Sequence, residues 1–433
     1  MLGIRLFRSL MLFLFTPVCA LAQASPSPPQ HQHESMAGMQ MEESFPADPA
    51  IAHSHTASGS AWQPLSVPMH VWSRQLGSWT LMAHGALFLA YNQQGGPRGV
   101  GKFEAPNWLM LMEQHSLGGG SIQFREMLSA EPLTTPHGGF PQLFQTGETY
   151  KGVPLVDRQH PHDVFGELAV LITLPVTERV RWEFYGGPAG EPAFGPVTYL
   201  HRVSASELEA APLGHHLQDS THTSFGVVTS GFIIDRLKIE GSVFNGHEPN
   251  EQRWSIQLGT LDSWSVRGTV APVRNWVAQY SYGLLVHPEA LEPGSQRRQS
   301  ASIEYNRLLP NGYWATSVIW GRVQKDFEAF PLNSYLLEST VNFFQRNYAY
   351  TRMELVDKDE LFGDGPGHPS YRIGAYTFGG VRDLLHNHDW QLGLGADATF
   401  YSKPAVLNPV YGNDPVSFHV FLRIRPGLPE HQH

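Results

Sequence analysis

The stretch Ser263-Trp264-Ser265-Val266-Arg267-Gly268-Thr269-Val270 decides the fold. Trp264, Val266 and Val270 share one parity with Gly268, and Ser263, Ser265, Arg267 and Thr269 share the other. Side chains of an extended chain point alternately to opposite faces, so this is a strand with one apolar and one polar face. The same pattern recurs where Trp390, Leu392, Leu394, Ala396, Ala398 and Phe400 alternate with Gln391, Gly393, Gly395, Asp397 and Thr399. It recurs again where Val416, Phe418, Val420, Leu422 and Ile424 alternate with Ser417, His419, Phe421, Arg423 and Arg425. The polar face carries Gly, Arg and Glu, as a water-filled lumen would.

Working outward, sixteen such segments are predicted: 78–92, 103–115, 120–130, 164–175, 178–188, 222–233, 236–247, 261–270, 274–287, 297–307, 311–324, 333–343, 346–356, 370–382, 388–401 and 415–425. Connections alternate between tight turns, such as Val176-Thr177 and Phe344-Gln345, and long loops, such as 131–163 and 189–221. Short periplasmic turns and long outer loops are the rule for outer-membrane barrels. The expected fold is therefore all-β, a transmembrane antiparallel up-and-down β-barrel of about sixteen strands, spanning 71–433, with both termini periplasmic. The two long loops are placed to fold inward and narrow the lumen. Arg179, Arg181, Glu183, Lys238, Glu240, Arg267, Glu304, Arg352, Glu354, Asp397 and Arg423 are expected on the lumen face. Trp79, Trp108, Trp182, Trp264, Trp276, Trp314 and Trp390 fall near strand ends, where aromatic girdles form.

The N-terminus gives the compartment. Arg5 and Arg8, the apolar run Leu10–Phe15 and Ala20-Leu21-Ala22 form a secretory signal over residues 1–22. Thr16-Pro17-Val18 before Cys19 fits a lipobox poorly. Cys19 is the only cysteine, so a mature chain without it has no disulfide, thiolate site or cysteine nucleophile. The formal charge is −10, and −12 once Arg5 and Arg8 leave, which speaks against nucleic-acid binding. Residues 23–70 read as a disordered periplasmic segment. The last strand ends at Arg425, without the terminal aromatic that the barrel assembly machinery reads in many barrels; Phe421 is the internal substitute. Expected partners are outer-membrane lipid, that machinery, and metal ions or small solutes. Barrels of this size often form a homotrimer, though no interface is legible.

Histidine is abundant, with 22 residues. The leading tract holds His31, His33, Met36, Met39 and Met41; imidazole suits Cu(II) and thioether suits Cu(I). The tail His431-Gln432-His433 repeats the spaced pair on the same side. Two outer-loop motifs are denser. Asp157-Arg158-Gln159-His160-Pro161-His162-Asp163 precedes the fourth strand, and Gly214-His215-His216-Leu217-Gln218-Asp219-Ser220-Thr221-His222 runs into the sixth. If His162 and His222 begin strands separated by one other, their backbones lie ~10 Å apart, and imidazoles can close that gap. His160, His162, His215, His216 and His222 are then expected to form one cluster, with Asp163 and Asp219 orienting the rings. Such a set suits Zn(II), Cu(II) or Ni(II); a hydrogen-bonded plug of folded-in loops accounts for the same residues. His201 sorts with the outer loops, and only His84 and His419 fall mid-strand.

DRQHPHD at 157–163, the stretch Tyr185–Pro196 (YGGPAGEPAFGP) and GHHLQDSTHTSFGVV at 214–228 resemble the signature segments of a bacterial outer-membrane β-barrel family whose members often occur with heavy-metal resistance functions. The resemblance spans roughly residues 70–430. The chain is more loosely similar to the copper-resistance outer-membrane protein, which also has a Met/His-rich N-terminus, longer than the one here. What these resemblances imply is a barrel that binds or handles transition-metal ions, copper first and zinc second. No bound cofactor is required. The alternative is a general or selective diffusion porin with structural histidines. A barrel-embedded lipid hydrolase is a further alternative, but Asp219, Ser220 and His222 are too close in sequence to form a catalytic set by themselves, and no enzyme activity is expected.

Overall fold

The computed structural model describes residues 56–135, 138–362 and 369–428. The signal, the residues up to 55 and the 431–433 tail lie outside the described residues. Sixteen antiparallel strands close on themselves. They are β1 (Trp79–Gln93), β2 (Asn107–Leu117), β3 (Gly120–Leu128), β4 (Phe165–Pro175), β5 (Val180–Ala189), β6 (Val227–Ile234), β7 (Leu237–Phe244) and β8 (Ser263–Val273). The circuit continues through β9 (Trp276–Leu285), β10 (Gln296–Leu309), β11 (Gly312–Lys325), β12 (Leu332–Phe343), β13 (Asn347–Lys358), β14 (Tyr371–His386), β15 (Trp390–Ser402) and β16 (Val416–Pro426). Each strand pairs with the next, and Leu87↔Ile424 to Gln93↔Phe418 join β1 to β16. A short strand, Trp72–Leu76, pairs with the start of β1 below that seam. Closure leaves no strand edge to solvate, which a chain in hydrocarbon requires.

The faces follow the sequence pattern with polarity opposite to that of a soluble protein. Along β8, Ser263, Ser265, Arg267 and Thr269 are buried, while Trp264, Val266 and Val270 are exposed. Phe232, Ile239, Ile303, Val318, Leu355, Phe378, Leu394 and Val420 extend that exposed apolar band around the barrel. A belt of this extent marks a surface that faces lipid. No helix among the described residues is long and apolar enough to cross a membrane.

Tight turns close the strands at one end. The β2–β3 turn is Gly118-Gly119, with φ of 54° and 79°, the left-handed pair that a two-residue hairpin of matching twist needs. At the other end lie the long connections, and two of them turn inward. Residues 129–164 and 190–226 fill the lumen with the segment 56–70, which composition had assigned to the leading tract. Ser60 and Trp62 of that segment are buried, because the lumen offers it Glu240, Arg267 and Lys238 as partners.

The lumen charges pair across strands and with the plug. Arg267 donates to Glu240, its register neighbour, at 3.0 Å. Arg352 pairs with Glu338 at 2.9 Å, and the same Glu338 accepts from Arg202 of the plug. Arg423 and Arg425 both meet Glu207 of the plug. Arg179, expected on this face, is 79% exposed at a tight turn, paired with Asp235; its position before β5 places it outside the alternation. Trp108 likewise leaves the girdle: it faces inward against His84 and His201.

Val318, mid-strand on β11, is 51% exposed, while its neighbour Ser317 faces the lumen. We predict that Val318→Arg costs about 2–4 kcal/mol of folding free energy in lipid vesicles, read by denaturant titration. An unchanged midpoint would mean that this face does not contact hydrocarbon.

Candidate metal centre in the plug

The first outer motif is held by its own turn. Arg158-Gln159 pairs with Phe140-Pro141. The carboxylate of Asp157 accepts from the Phe144 backbone N–H at 2.7 Å and from Arg98 at 2.7 Å. His160 and His162 follow, flanking Pro161 in the chain, with ring centroids 6.2 Å apart. The second motif forms one helical turn, His215–Gln218. It docks on the wall: Gly214 N–H donates to Glu354 at 3.1 Å, and the His216 carbonyl accepts from Arg298 at 3.2 Å. Leu213 and Leu217 pack with Val323, Leu332 and Val356. A short 3-10 turn, Ser220–His222, then carries His222 back toward β6.

These motifs bring the five imidazoles together. Ring centroids of His215 and His216 are 4.0 Å apart, His160 and His216 5.5 Å, His162 and His222 5.6 Å, and His215 and His222 5.8 Å. His160, His215 and His216 each offer a ring nitrogen within 4.8 Å of the others, and ring nitrogens of His215 and His222 lie within the same distance of each other and of an Asp219 carboxylate oxygen. A void of about 20 Å³ lies among them, enough for one water or one ion. The route to this cluster differs from the strand argument. β4 starts at Phe165 and β6 at Val227, so His162 and His222 are carried by folded-in loops rather than by strand starts.

The orienting groups also differ from expectation. Asp163 is taken by Arg253 at 3.1 Å. Asp219 lies 3.8 Å from His215 Nδ1 and belongs among the donors. Ring orientation comes instead from Glu148 on His160 Nε2 at 2.9 Å, Glu131 on His162 Nδ1 at 2.9 Å, and Gln159 on His215 Nε2 at 3.0 Å. Tyr199 OH meets the other His162 nitrogen at 3.3 Å. His162 is thus engaged at both nitrogens, as is His160, whose Nδ1 meets the Pro161 carbonyl at 3.1 Å, while His215 Nδ1, His216 Nδ1 and both Asp219 oxygens are buried without a hydrogen-bond partner. Glu131, Glu148, Glu248 and Arg253 carry no sequence signal, because they reach the cluster only through loop folding. His31, His33, Met36, Met39 and Met41 lie outside the described residues.

Electrostatics divides the cluster. Burial, then His216, holds His215 well below the usual imidazole range, and burial, then His160, does the same for His216. Burial, then His162, lowers His222 to about 3. These rings are neutral at neutral pH, as ligands must be. Burial also lowers His162, but Glu131 more than offsets it and raises the ring. Burial pushes Asp219 up to about 7. Glu148 would rise on burial, yet Arg253, then His160, holds it down to about 2. A second cluster is formed by Glu104, Glu209 and His419, where His419 also meets Asp397 at 2.7 Å.

Above the histidines a vestibule of about 460 Å³ opens among the long loops, lined by Glu148, Glu248, Glu251, Glu289, Glu292 and Glu360. Glu148, Glu248 and Pro249 border both it and the small void. Five of these six carboxylates meet a buried cation: Glu148 pairs with Arg253, Glu248 and Glu289 with Arg298, and Glu292 and Glu360 with Lys325.

Fold and site together define a plugged β-barrel with a polar, histidine-rich interior. No protein-family model and no curated protein matches the chain. Among solved structures it is similar to the anion-selective porin from Comamonas acidovorans, with 9% identity, 80% of this chain and 99% of that one covered, and a TM-score of 0.49. It is also similar to OprB of Pseudomonas putida, with 8% identity, 81% and 94% covered, and a TM-score of 0.49. OmpF of Salmonella typhi, solved with daunomycin, gives 10% identity, 81% and 100% covered, and a TM-score of 0.48. These likenesses are slight in sequence and partial in backbone path; the barrel reading comes from closure and the inverted faces.

Arg253 neutralises both Glu148 and Asp163 beside the cluster. Removing one partner of a buried ion network costs about 3–5 kcal/mol. We predict that Arg253→Ala lowers the thermal midpoint and speeds tryptic cleavage after exposed Lys151 in the same plug loop. Unchanged cleavage would show that the network does not hold the loop.

Proposed function

We propose that this protein is an outer-membrane barrel that binds a borderline divalent cation, Cu(II) or Zn(II), in its plug, in the service of metal resistance or transport. The observation that carries this reading is the convergence of five imidazoles on an ion-sized void, with ring nitrogens of His215 and His216 buried and unpartnered. Three or four nitrogens with a carboxylate suit these ions. The vestibule at the long-loop end supports the same reading as a polar opening that borders the void at Glu148 and Glu248. That end faces outward, and the termini lie in the periplasm, if the usual barrel orientation holds. Hydrolase geometry has no support: His222 Nδ1 meets the backbone carbonyl of Asp219 at 2.9 Å rather than its carboxylate.

The purified full chain is expected to retain Zn(II) or Cu(II) through gel filtration. Glu148→Gln should weaken binding about 10–100-fold, the usual effect of losing a ligand's hydrogen-bonding partner. His160→Ala with His216→Ala should abolish the plug's share. If that pair leaves metal content unchanged and only loosens the loops, the histidines are structural and the plain porin reading takes over. Planar-bilayer conductance separates the two independently: micromolar Zn(II) alters it only if the plug binds the ion.

A further inference from the structure

A second chamber lies on the other side of the plug, toward the tight turns. Its volume is about 450 Å³. Met82, His84 and Met112 line it; Met82 stands opposite Met112, and His84 opposite the fully buried Met110. Met110 in turn stands opposite Met127 on β3. Met110, Met112 and Met127 form one buried cluster, with Met82 and Trp108 packed on it. Direct cross-strand neighbours have Cβ atoms about 5 Å apart, so the thioethers and the His84 ring share one patch of wall. The plug supplies the opposite face. His201 comes from the 190–226 loop, and its ring centroid lies 5.1 Å from that of His84.

Neither ring is satisfied. His84 Nε2 and both nitrogens of His201 are shielded from solvent without a hydrogen-bond partner. This contrasts with the upper cluster, where carboxylates and Gln159 orient the rings; among the described residues no carboxylate hydrogen-bonds His84 or His201. The donor set is also different in kind. Thioether sulfur is soft and polarisable, prefers monovalent d10 ions, and combines with imidazole in that preference. A single positive charge also suits neutral ligands in a low-dielectric site better than a dication, whose desolvation cost is larger.

We propose that His84 and His201, with the thioethers of Met82 and Met112, form a second metal site, selective for a soft monovalent cation such as Cu(I) or Ag(I). The site bridges wall and plug, since His84 belongs to β1 and His201 to the folded-in loop. It does not depend on the divalent site above, whose residues are separate.

Ag(I) is the probe, being redox-inert. The full chain is loaded with Ag(I) in detergent, passed through gel filtration and analysed for silver by mass spectrometry. His84→Ala with His201→Ala, and separately Met82→Leu with Met112→Leu, should each lose one equivalent relative to the unaltered chain. The leucine pair conserves volume and apolarity, so the barrel folds and the loss reports thioether donation. His160→Ala with His216→Ala should keep that equivalent, and tenfold excess Zn(II) should not displace it. Equal silver content in the unaltered chain and both chamber variants overturns the proposal, whatever the outcome at the upper cluster.

Discussion

Arg267 stands at the junction on which the interior depends. From the wall strand β8 its guanidinium donates to Glu240 on β7, to the carbonyl of Gly195 in the plug at 3.1 Å, and to Ser60 in the leading segment at 3.0 Å. Ser60 in turn donates to Glu240 at 2.6 Å. One cation thus ties together wall, plug and N-terminal segment. The constraint behind it is general to the molecule. With an apolar outer face, every wall charge must turn inward, and a charge removed from bulk water must be paired there. The lumen becomes a set of unmet demands, and the plug is the chain's answer to them.

Arg202 and Glu207 show how the answer is made. Both belong to the 190–226 loop, and they meet Glu338 on β12 and the Arg423–Arg425 pair on β16. The stretch Tyr185–Pro196 steers the loop into place: Tyr185 OH accepts the Glu191 N–H, Ala193 N–H donates to Ser242, and Gly195 N–H donates to Ser281. Such anchoring fixes the one-turn helix at 215–218 against β10–β13. The imidazole cluster is therefore positioned by the ion pairs and hydrogen bonds that seat the loop.

The two ends of the lumen differ in chemistry. Acidic residues and imidazoles gather at the long-loop end, and thioethers with unpartnered imidazoles gather toward the tight turns. Buried ion pairs and the Glu104–Glu209–His419 group occupy further parts of the lumen. Along the lumen axis the side-chain donors change from carboxylate and imidazole to imidazole and thioether.

The period-two alternation by itself determined the barrel: Ser263–Val270, Trp390–Phe400 and Val416–Arg425 each carry a full inside–outside assignment, since parity in a strand fixes the face. All sixteen predicted segments correspond to strands, although 103–115 is interrupted at 105–106 and the sixth begins at Val227 rather than at 222. The sequence also marked the two His motifs, by density. It could not supply their companions. Glu131, Glu148, Glu248 and Arg253 are distant in the chain and ordinary in composition, and His201, read as an outer-loop residue, meets His84 inside the barrel. Nor could composition show that residues 56–70 enter the lumen, since a polar segment looks disordered until the charges that bind it are known. Strand faces follow from local geometry, whereas loop placement depends on pairing between charges many residues apart, and only the closed barrel brings those charges together.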